Sequence, residues 1–284
     1  MPEQPELDAV VALLTDLAGS RTFDGVEIGT LNLLRTAVPP VEDLVGRRVV
    51  SAGRRGKYLL VDCSGITLVL HLARAGWLRW SRTAPTRRIT PGRGPVALRL
   101  RFTEGRSLDV TEAGTRKSAA AWLAHDPGSL PELATLGSEA NAISRADLGR
   151  VVAGTGARVK TILTDQRVLA GIGNGWSDEI LHTARLSPYA PGRGLTPEQV
   201  DALHEAIRTV LDRARDGLAG VGLTGIKDAK KSLLRVHGRT GLPCPVCGTD
   251  IAEIAFAERS LQYCPGCQTG GRRLSDRRMD RLLK

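Results

Sequence analysis

The sequence predicts an α+β protein with a β-rich N-terminal domain, an all-helical domain and an appended metal-binding hairpin. Three observations support this fold class. Between Thr22 and Val110, short segments of β-forming residues alternate with turn residues, which is typical of antiparallel strands. Between Ser144 and Leu218, apolar residues instead recur at the spacing of a helix. Four of the five cysteines then form two Cys-x-x-Cys pairs near the C-terminal end.

The first predicted helix runs from Pro5 to Gly19, with proline in the first turn and glycine at the C-terminal end. Its apolar face consists of Leu7, Val10, Val11, Leu14 and Leu17. The predicted strands that follow are Arg48–Ala52, Lys57–Cys63, Thr67–Leu72, Trp77–Trp80, Val96–Phe102 and Ser107–Val110. Short strands at such regular intervals indicate an antiparallel sandwich or barrel.

The segment 126–142 contains two prolines and two glycines and is predicted to connect two domains. The predicted helices beyond it are Ser144–Ala153, Arg158–Leu163, Gly175–Ala184 and Thr196–Leu218. Ser144 is the expected N-cap of the first of them. In the last, the stripe formed by Val200, Leu203, Ile207, Val210 and Leu211 predicts a face that packs into a helical core.

Composition narrows the classes of function. The chain has 284 residues, of which 40 are Lys or Arg and 30 are Asp or Glu, and its formal charge of +10 favours a polyanionic partner such as nucleic acid. No apolar run approaches the roughly 18 residues that a membrane span needs. The N-terminal segment MPEQPELDAVV is acidic and lacks the basic region of a signal peptide. We therefore expect a cytoplasmic protein.

The cysteine spacing predicts a structural metal site. Cys244 and Cys247 are separated from Cys264 and Cys267 by 16 residues, which is typical of one zinc ion held by four thiolates. The segment between the pairs is long enough for a β-hairpin. The alternatives are two disulfides, which need an oxidising compartment, and two redox motifs, which need a βαβ context. Cys63 lies in an apolar run and is predicted to be a buried thiol.

The N-terminus is a candidate catalytic site. Removal of Met1 before the small Pro2 leaves a secondary amine, a fraction of which is uncharged at cellular pH. Such an amine can attack a sugar aldehyde to form a cationic iminium, which makes β-elimination easy. Glu3 and Glu6 could transfer protons beside it. The alternative is that Pro2 has no catalytic role and that the glutamates only stabilise the first helical turn.

A glycine-rich turn at Gly171–Gly175 is a candidate phosphate site. A helical segment precedes it and its spacing differs from GxGxxG, so a dinucleotide-binding motif is a poor interpretation. Backbone N–H groups at the start of the following helix, together with the Asn174 side chain, could bind a phosphate. The alternative is a turn between helices that binds no ligand.

Basic residues supply further candidate contacts with a polyanion. Lys57 precedes a predicted strand, and Lys160 lies on a predicted helix. Arg259 lies on the hairpin between the cysteine pairs, and such a zinc-fixed mount would hold it rigidly against a phosphate. The alternative for each is an ordinary solvated charge. His71 ends an apolar strand and His182 lies on a helix, and core or surface roles are expected for both because the four cysteines already complete a metal site.

Taken together, these segments resemble one family. The motifs that carry the resemblance are, in chain order, MPEQPE, RRGKYLL, HLARAG, GIGN followed by SDEIL, HGRTGLPCPVCG and ERSLQYCPGCQ. They are similar to the formamidopyrimidine-DNA glycosylase/endonuclease VIII family. The resemblance implies an N-terminal antiparallel β-sandwich with a flanking helix, a helix-two-turns-helix domain and a C-terminal zinc-finger β-hairpin, with DNA in the cleft between. The expected domain limits are 1–125 for the sandwich, 126–142 for a linker, 143–240 for the helical domain and 241–284 for the zinc finger and basic tail.

The resemblance also implies roles for single residues in the sandwich. Pro2 is similar to the family's nucleophile, Glu3 to its proton donor and Glu6 to a supporting carboxylate. Lys57 resembles the lysine that contacts the lesion or its flanking phosphate. His71, in the motif HLARAG, is a further candidate contact with DNA.

In the C-terminal half, Asn174 and Arg259 resemble the pair that grips phosphates around an extruded nucleotide, and Lys160 is a further candidate DNA contact. Cys244, Cys247, Cys264 and Cys267 resemble the family's ligands for one structural zinc ion. Clamping adjacent phosphates would stabilise the bent duplex from which a nucleotide is extruded, a step that costs a few kcal/mol.

The sequence departs from the formamidopyrimidine-type members in the parts that read the lesion. Arg74 occupies a position that is usually Met, and Thr111–Ser118 replaces a Pro-Arg-Arg-Phe-Gly loop. Arg74, Arg116 and Lys117 are candidates to fill the space left by the flipped base. The lysine-rich segment 227–231 replaces a mobile loop that caps the lesion.

We therefore expect a monomeric DNA glycosylase with AP lyase activity, associated with the nucleoid, that acts on double-stranded DNA containing damaged bases or abasic sites. One alternative is a non-catalytic damage-binding or DNA-architectural protein that keeps the phosphate clamp. A third interpretation, a zinc-ribbon protein that binds RNA or the ribosome, is disfavoured by the N-terminal motif.

Overall fold

The computed structural model describes residues 1–115, 117–256 and 260–274. They form two compact units. The first comprises Met1–Thr135 and Leu218–Lys227, and the second comprises Leu136–Gly217 and the described residues from Asp228 onwards. The finer limits expected from the sequence, at 125, 142 and 240, stay a prediction.

The first unit begins with helix α1 (Gln4–Ala18) and contains eight strands in its described residues. In chain order these are β1 (Phe23–Ile28), β2 (Ser51–Arg55), β3 (Tyr58–Asp62), β4 (Thr67–His71), β5 (Gly76–Ser81), β6 (Val96–Phe102), β7 (Arg106–Glu112) and β8 (Ala120–Ala124). They form two four-stranded antiparallel sheets, in the orders β1-β6-β7-β5 and β2-β3-β4-β8. A short helix, α2 (Pro131–Ala134), follows.

Side chains from α1 and from both sheets meet in one apolar core. The residues that surround its centre include Leu14 of α1, Phe102 and Leu108 of the first sheet, and Val61 and Leu70 of the second. Two antiparallel sheets that share a core form a sandwich, which confirms the predicted fold class for this unit.

The predicted strands agree with the structure except that one strand has different bounds and two strands were not predicted. The strand predicted at Arg48–Ala52 is wrong, because β2 runs instead from Ser51 to Arg55, where Arg55 pairs with Tyr58 across a two-residue turn. Gly56 occupies the first position of that turn with φ of +53°, and such a turn fixes the register of the hairpin. The missing strands were β1 and β8. All five residues of β8 are buried, so it shows no alternation of polar and apolar residues.

The second unit is mainly helical. Its elements up to the hairpin are β9 (Ser138–Glu139), α3 (Arg145–Ala153), α4 (Val159–Thr164), β10 (Leu169–Ala170), α5 (Asn174–Thr183), α6 (Pro197–Leu218) and α7 (Ile226–Leu233), the last of which begins in the first unit. Ser144 is the N-cap of α3, as predicted, since its Oγ accepts a hydrogen bond from Asp147 N (3.1 Å). The predicted stripe of α6 is buried in the helical core.

The C-terminal part of this unit contains the predicted hairpin. Strand β11 (Ala252–Ala255) pairs with β12 (Ser260–Tyr263), and the short helix α8 (Pro265–Thr269) follows. A helix with the length and apolar character of a membrane span is not found among the residues that the structure describes.

The segment 218–227 returns to the first unit through Trp77. The indole Nε1 of Trp77 donates a hydrogen bond to Leu223 O (2.8 Å), and the Lys227 ammonium lies 4.8 Å from the centre of its ring. Lys230, one helical turn further along α7, lies 5.2 Å from the ring centre of Trp176 in the second unit. The lysine-rich segment 227–231 lies within helix α7, and two of its lysines lie over tryptophan rings.

Candidate active site and zinc centre

The N-terminal site is built on the first turn of α1. Glu3 is the N-cap, and its backbone N–H donates to the Glu6 carboxylate (2.6 Å) in a capping box. Both glutamate side chains are buried, and so is Pro2, whereas Met1 is exposed. The chain therefore places Pro2 beside two buried carboxyl groups and leaves only the preceding methionine outside.

Lys57 lies at the second position of the β2–β3 turn, and its side chain is buried. His71 lies on the neighbouring strand β4, where it pairs with Tyr58 and its ring is 4.8 Å from the tyrosine ring. Burial, followed by the positive charges of Lys57 and the chain's amino terminus, lowers the pKa of His71 to about 4. The imidazole is thus neutral at cellular pH, and the first unit brings His71, Lys57 and the amino terminus close together.

Arg74 is presented by a turn that its neighbours make rigid. Gly76 N–H donates to Leu72 O (2.8 Å) to close the turn, and Ala73 has a positive φ of 48°. A Cβ on Gly76 would lie 2.1 Å from Leu72 O, so this position requires glycine. The Arg74 side chain is exposed.

The loop that starts after β7 is held at its base by Glu112. The buried carboxylate of Glu112 accepts hydrogen bonds from Ser118 N (2.8 Å) and Ala119 N (3.1 Å), and Lys117 Nζ donates to Glu112 O. The loop therefore has fixed ends. Arg116, the third candidate for filling the space of a flipped base, lies outside the described residues.

Asn174 is the first residue of α5, directly after the glycine-rich turn in which Gly171 has a φ of +105°. Its side-chain Nδ2 donates to Ser260 O (2.7 Å) on strand β12. The second unit thus joins Asn174 to the zinc-finger hairpin. Arg259 precedes Ser260 in the chain and lies outside the described residues.

Lys160 is buried below Asn174 rather than presented to solvent. Its ammonium donates to Asn174 O (2.9 Å), Ser177 Oγ (2.8 Å) and Asp178 Oδ1 (2.5 Å). An ammonium has three N–H donors, and all three are used inside the fold. The structure therefore corrects the sequence interpretation of Lys160 as a solvated charge and gives it the role of supporting the start of α5. Its predicted contact with DNA gains no support.

The four cysteine sulfurs of the C-terminal region lie together and are not joined in disulfides. Sγ of Cys244 is 3.9 Å from that of Cys267, and Sγ of Cys247 is 3.3 Å from that of Cys264. Sulfurs at about 2.3 Å from a tetrahedral zinc ion are about 3.8 Å apart, so a single structural zinc ion fits this cluster. Cys63, in contrast, is buried in the sandwich as predicted, and burial raises its pKa to about 12.

His182 adjoins this cluster, which its sequence context did not indicate. Its Nε2 lies 3.3 Å from Cys244 Sγ, and the ring is buried. One donor atom from each of His182, Cys244, Cys264 and Cys267 falls within 4.8 Å of the others. The contact joins residues 62 positions apart, so only the packing of α5 against the zinc finger could reveal it.

Comparisons with known proteins agree with this organisation. The formamidopyrimidine-DNA glycosylase N-terminal domain matches residues 1–119, the formamidopyrimidine-DNA glycosylase H2TH domain matches 136–223, and the zinc finger found in FPG and IleRS matches 241–270. Among solved structures, a Lactococcus lactis Fpg in complex with abasic-site DNA superposes with a TM-score of 0.83 at 25% identity, covering 94% of this chain and 99% of that one.

Full-length relatives show the family membership directly. An uncharacterized formamidopyrimidine-DNA glycosylase-like protein of Mycobacterium tuberculosis is 53% identical over 154 residues, which are 54% of this chain and 98% of that protein. The formamidopyrimidine-DNA glycosylase of Thermus thermophilus is 33% identical over 95% of this chain and 100% of its own length. That of Listeria innocua is 31% identical over 94% of this chain and 100% of its own length. Because such relatives match over nearly their whole length, the chain belongs to the formamidopyrimidine-DNA glycosylase family.

Proposed function

We propose that this protein is a base-excision-repair DNA glycosylase with AP lyase activity, in which Pro2 is the nucleophile. The observation that carries the proposal is the start of α1, where Pro2 precedes the buried capping box of Glu3 and Glu6. Removal of the exposed Met1 converts the Pro2 nitrogen from an amide into a secondary amine without disturbing that helix turn. Substrates of this class are double-stranded DNA with damaged bases or abasic sites, as in the DNA-bound structures of relatives.

The chemistry follows from the secondary amine. The Pro2 lone pair forms a bond to the sugar C1′ while the bond from C1′ to the damaged base breaks, and the departing base takes up the proton that the Pro2 nitrogen loses. Opening of the C1′–O4′ bond then gives a cationic iminium, and Glu3 supplies the proton that the ring oxygen takes up. Loss of a C2′ proton to a base converts the iminium into an enamine. The nitrogen lone pair of the enamine then restores the iminium while the C3′–O bond breaks and the 3′-phosphate leaves. Water finally hydrolyses the iminium and restores the amine.

Lys57 and His71 complete the sugar-facing part of the proposed site. Lys57 is buried, and its charge and that of the amino terminus both act on His71; we assign the Lys57 ammonium a contact with the phosphate beside the lesion. His71 is held neutral, so it adds a hydrogen-bonding group without adding a second positive charge next to the amine. Arg74 is exposed on its rigid turn and is our candidate for a contact in the duplex near the lesion.

Asn174 and Arg259 are the proposed phosphate grips. A side-chain amide has two N–H donors, and Asn174 uses one of them to hold Ser260. Its second N–H, at the positive end of the α5 dipole, is the group that would receive a phosphate. Ligation of zinc by Cys244, Cys247, Cys264 and Cys267 would fix strand β12, which begins directly after Arg259 in the chain.

Borohydride trapping tests the proposal. Incubation with abasic-site DNA and borohydride should yield a covalent adduct for the wild type. Pro2→Gln should abolish the adduct, because Met1 is retained before a large side chain, while DNA affinity changes little. Pro5→Ala is the matched control: it alters a neighbouring proline in the same turn and should still trap.

Two results would contradict the assignment. Mass spectrometry of the mature wild type could show that Met1 is retained, in which case no secondary amine exists. Tight binding to abasic-site DNA without adduct or strand cleavage would instead favour the non-catalytic DNA-binding alternative. Because the proposed substrate is chromosomal DNA, we place the protein on the nucleoid in the cytoplasm, acting as a monomer.

A further inference from the structure

A cavity of about 660 Å³ lies in the second unit beside the first Cys-x-x-Cys turn, and three arginines line it. Arg213 is on α6, and Arg235 and Arg239 follow α7. The same cavity is bordered by Pro245 and Val246, which lie between the first two cysteines. The proposed glycosylase mechanism uses none of these residues.

Two of the three guanidinium groups have buried donors without acceptors. Arg213 Nη2 and Arg239 Nε are inaccessible to solvent, and neither has a hydrogen-bond partner among the described residues. Leaving a buried N–H unpaired is unfavourable, and arginine does not escape it by losing its proton. The described part of the fold therefore provides no acceptor for either N–H group.

The charges around the cavity are also unbalanced. The carboxylate that acts on Arg213 is that of Glu179, and its oxygens already accept backbone N–H groups of Arg235, Val236 and His237, each at 2.9 Å. Burial and the neighbouring Arg235 charge lower the pKa of Arg213. An anion in the cavity would supply both the acceptors and the counter-charge.

This cavity is separate from the proposed phosphate grip at the start of α5. It adjoins the turn that begins at Cys244, and Cys244 Sγ contacts His182 near the C-terminal end of α5. His182 is eight residues from Asn174, which corresponds to about 12 Å along a helix. The cavity and Asn174 therefore lie towards opposite ends of the same helix.

We propose that this arginine cavity binds a phosphate-bearing ligand, whose oxygens accept hydrogen bonds from Arg213 and Arg239 while Arg235 adds counter-charge. Guanidinium groups match the tetrahedral oxygens of phosphate with paired N–H donors, and three of them balance a di- or trianion better than one carboxylate. Among the described residues that line the cavity none is aromatic, so recognition rests on phosphate rather than on base stacking. The phosphate belongs either to the DNA backbone or to a free phosphorylated compound.

Calorimetric titration with inorganic pyrophosphate tests the site without any excision assay. The wild type should bind pyrophosphate, and Arg213→Gln should weaken binding about tenfold or more, the loss expected for a hydrogen bond to a charged group. Arg235→Gln should also weaken binding, because it removes positive charge from the cavity. Arg235 is exposed, so its replacement should fold even if that of Arg213 does not. Arg208→Gln is the control, since Arg208 is exposed on α6 and does not line the cavity. Zinc content is measured for every protein to exclude metal extraction.

The salt dependence of DNA binding separates the two sources of phosphate. If the ligand is the DNA backbone, the slope of log K against log salt should fall by about 1 in Arg235→Gln but not in the Arg208→Gln control. If pyrophosphate binds and the slope is unchanged, the ligand is a free phosphorylated compound. Absence of pyrophosphate binding, equal binding by all variants, or binding of polyglutamate in place of pyrophosphate would overturn the proposal.

Discussion

Two helix N-termini carry the proposed chemistry, and they are built in opposite ways. At the start of α1, the protein's own carboxyl groups, Glu3 and Glu6, lie buried against the first backbone N–H groups. At the start of α5, the first turn has no acidic residue, and Asn174 is supported from below by the buried pair of Lys160 and Asp178. The positive end of the helix dipole faces the chain's own acids in α1 and none in the first turn of α5, which is why we propose an external anion at α5.

This difference shows that a helix N-terminus by itself does not define a phosphate site. In the proposed mechanism the acids of the first turn of α1 transfer protons, whereas the amide at the first position of α5 donates to a phosphate. The supports differ as well. The α1 site uses neighbours in sequence, while the α5 site depends on β12 of the zinc finger through Ser260.

Loss of zinc should separate the two sites most strongly. Structural zinc contributes about 10–16 kcal/mol in small zinc domains, so Cys264→Ser should release the metal and unfold the hairpin that Asn174 contacts. We expect DNA affinity to fall at least tenfold, while hydrogen exchange of the α1 amides is unchanged. Cys63→Ala is the control, because it removes a buried cysteine outside the metal cluster. A variant that loses zinc but keeps wild-type DNA affinity would show that DNA binding does not depend on the contact between the hairpin and Asn174.

Asp178→Ala tests the support beneath α5. The replacement leaves the buried Lys160 ammonium without its counter-charge and removes the acceptor of His237 Nδ1 (2.7 Å), so the free energy of unfolding should fall by about 3–5 kcal/mol. Denaturant unfolding measures the loss. Asp216→Ala removes an exposed carboxylate paired with Arg215 and should be close to wild type. Equal effects of the two variants would show that the buried pair does not stabilise this site.

The pH dependence of the free energy of unfolding tests whether His71 is buried as a neutral imidazole near the N-terminal site. The pKa of His71 is about 4 in the folded protein and near 6.5 when unfolded, so the unfolded state binds more protons between these values. Stability should therefore fall as pH decreases from about 6.5 to 4, with a contribution from His71 on the order of 2 kcal/mol. His71→Gln should flatten this part of the curve. An unchanged slope in urea unfolding at successive pH values would mean that His71 is not held neutral by the fold.

Glu6→Ala should have the smallest effect on stability. It removes the acceptor of Glu3 N–H at the start of α1, and the loss of a cap costs about 1 kcal/mol. Asp16→Ala, an exposed acid on the same helix, is the control and should change the midpoint of unfolding little. If both variants have the same stability, the capping box does not stabilise α1. The two glutamates then do not act as internal partners of this helix N-terminus.

The sequence predicted those parts of the site in which the important residues are close in the chain. The grouping of Pro2, Glu3 and Glu6 could be predicted because the three residues lie within one helical turn of one another in the chain. The cysteine pairs were visible because metal chemistry fixes their spacing. Strand β8 and the register of β2 were missed, because uniform burial hides alternation and because a turn, rather than hydrophobicity, sets where the hairpin strand ends.

The α+β class, the zinc finger and the placement of Pro2 beside two acids could all be predicted from the sequence, since each rests on a pattern within a short segment. Three features could be seen only in the folded structure. Lys160 is buried and donates to Asn174 O, and His182 contacts Cys244. Arg213, Arg235 and Arg239, from separate segments, line one cavity. These contacts join residues 14 to 62 positions apart, and for the longer ones local periodicity carries no information. Burial also affects which donors remain for a ligand: the Lys160 ammonium uses its three N–H groups inside the fold, whereas Arg213 Nη2 and Arg239 Nε have no partner among the described residues.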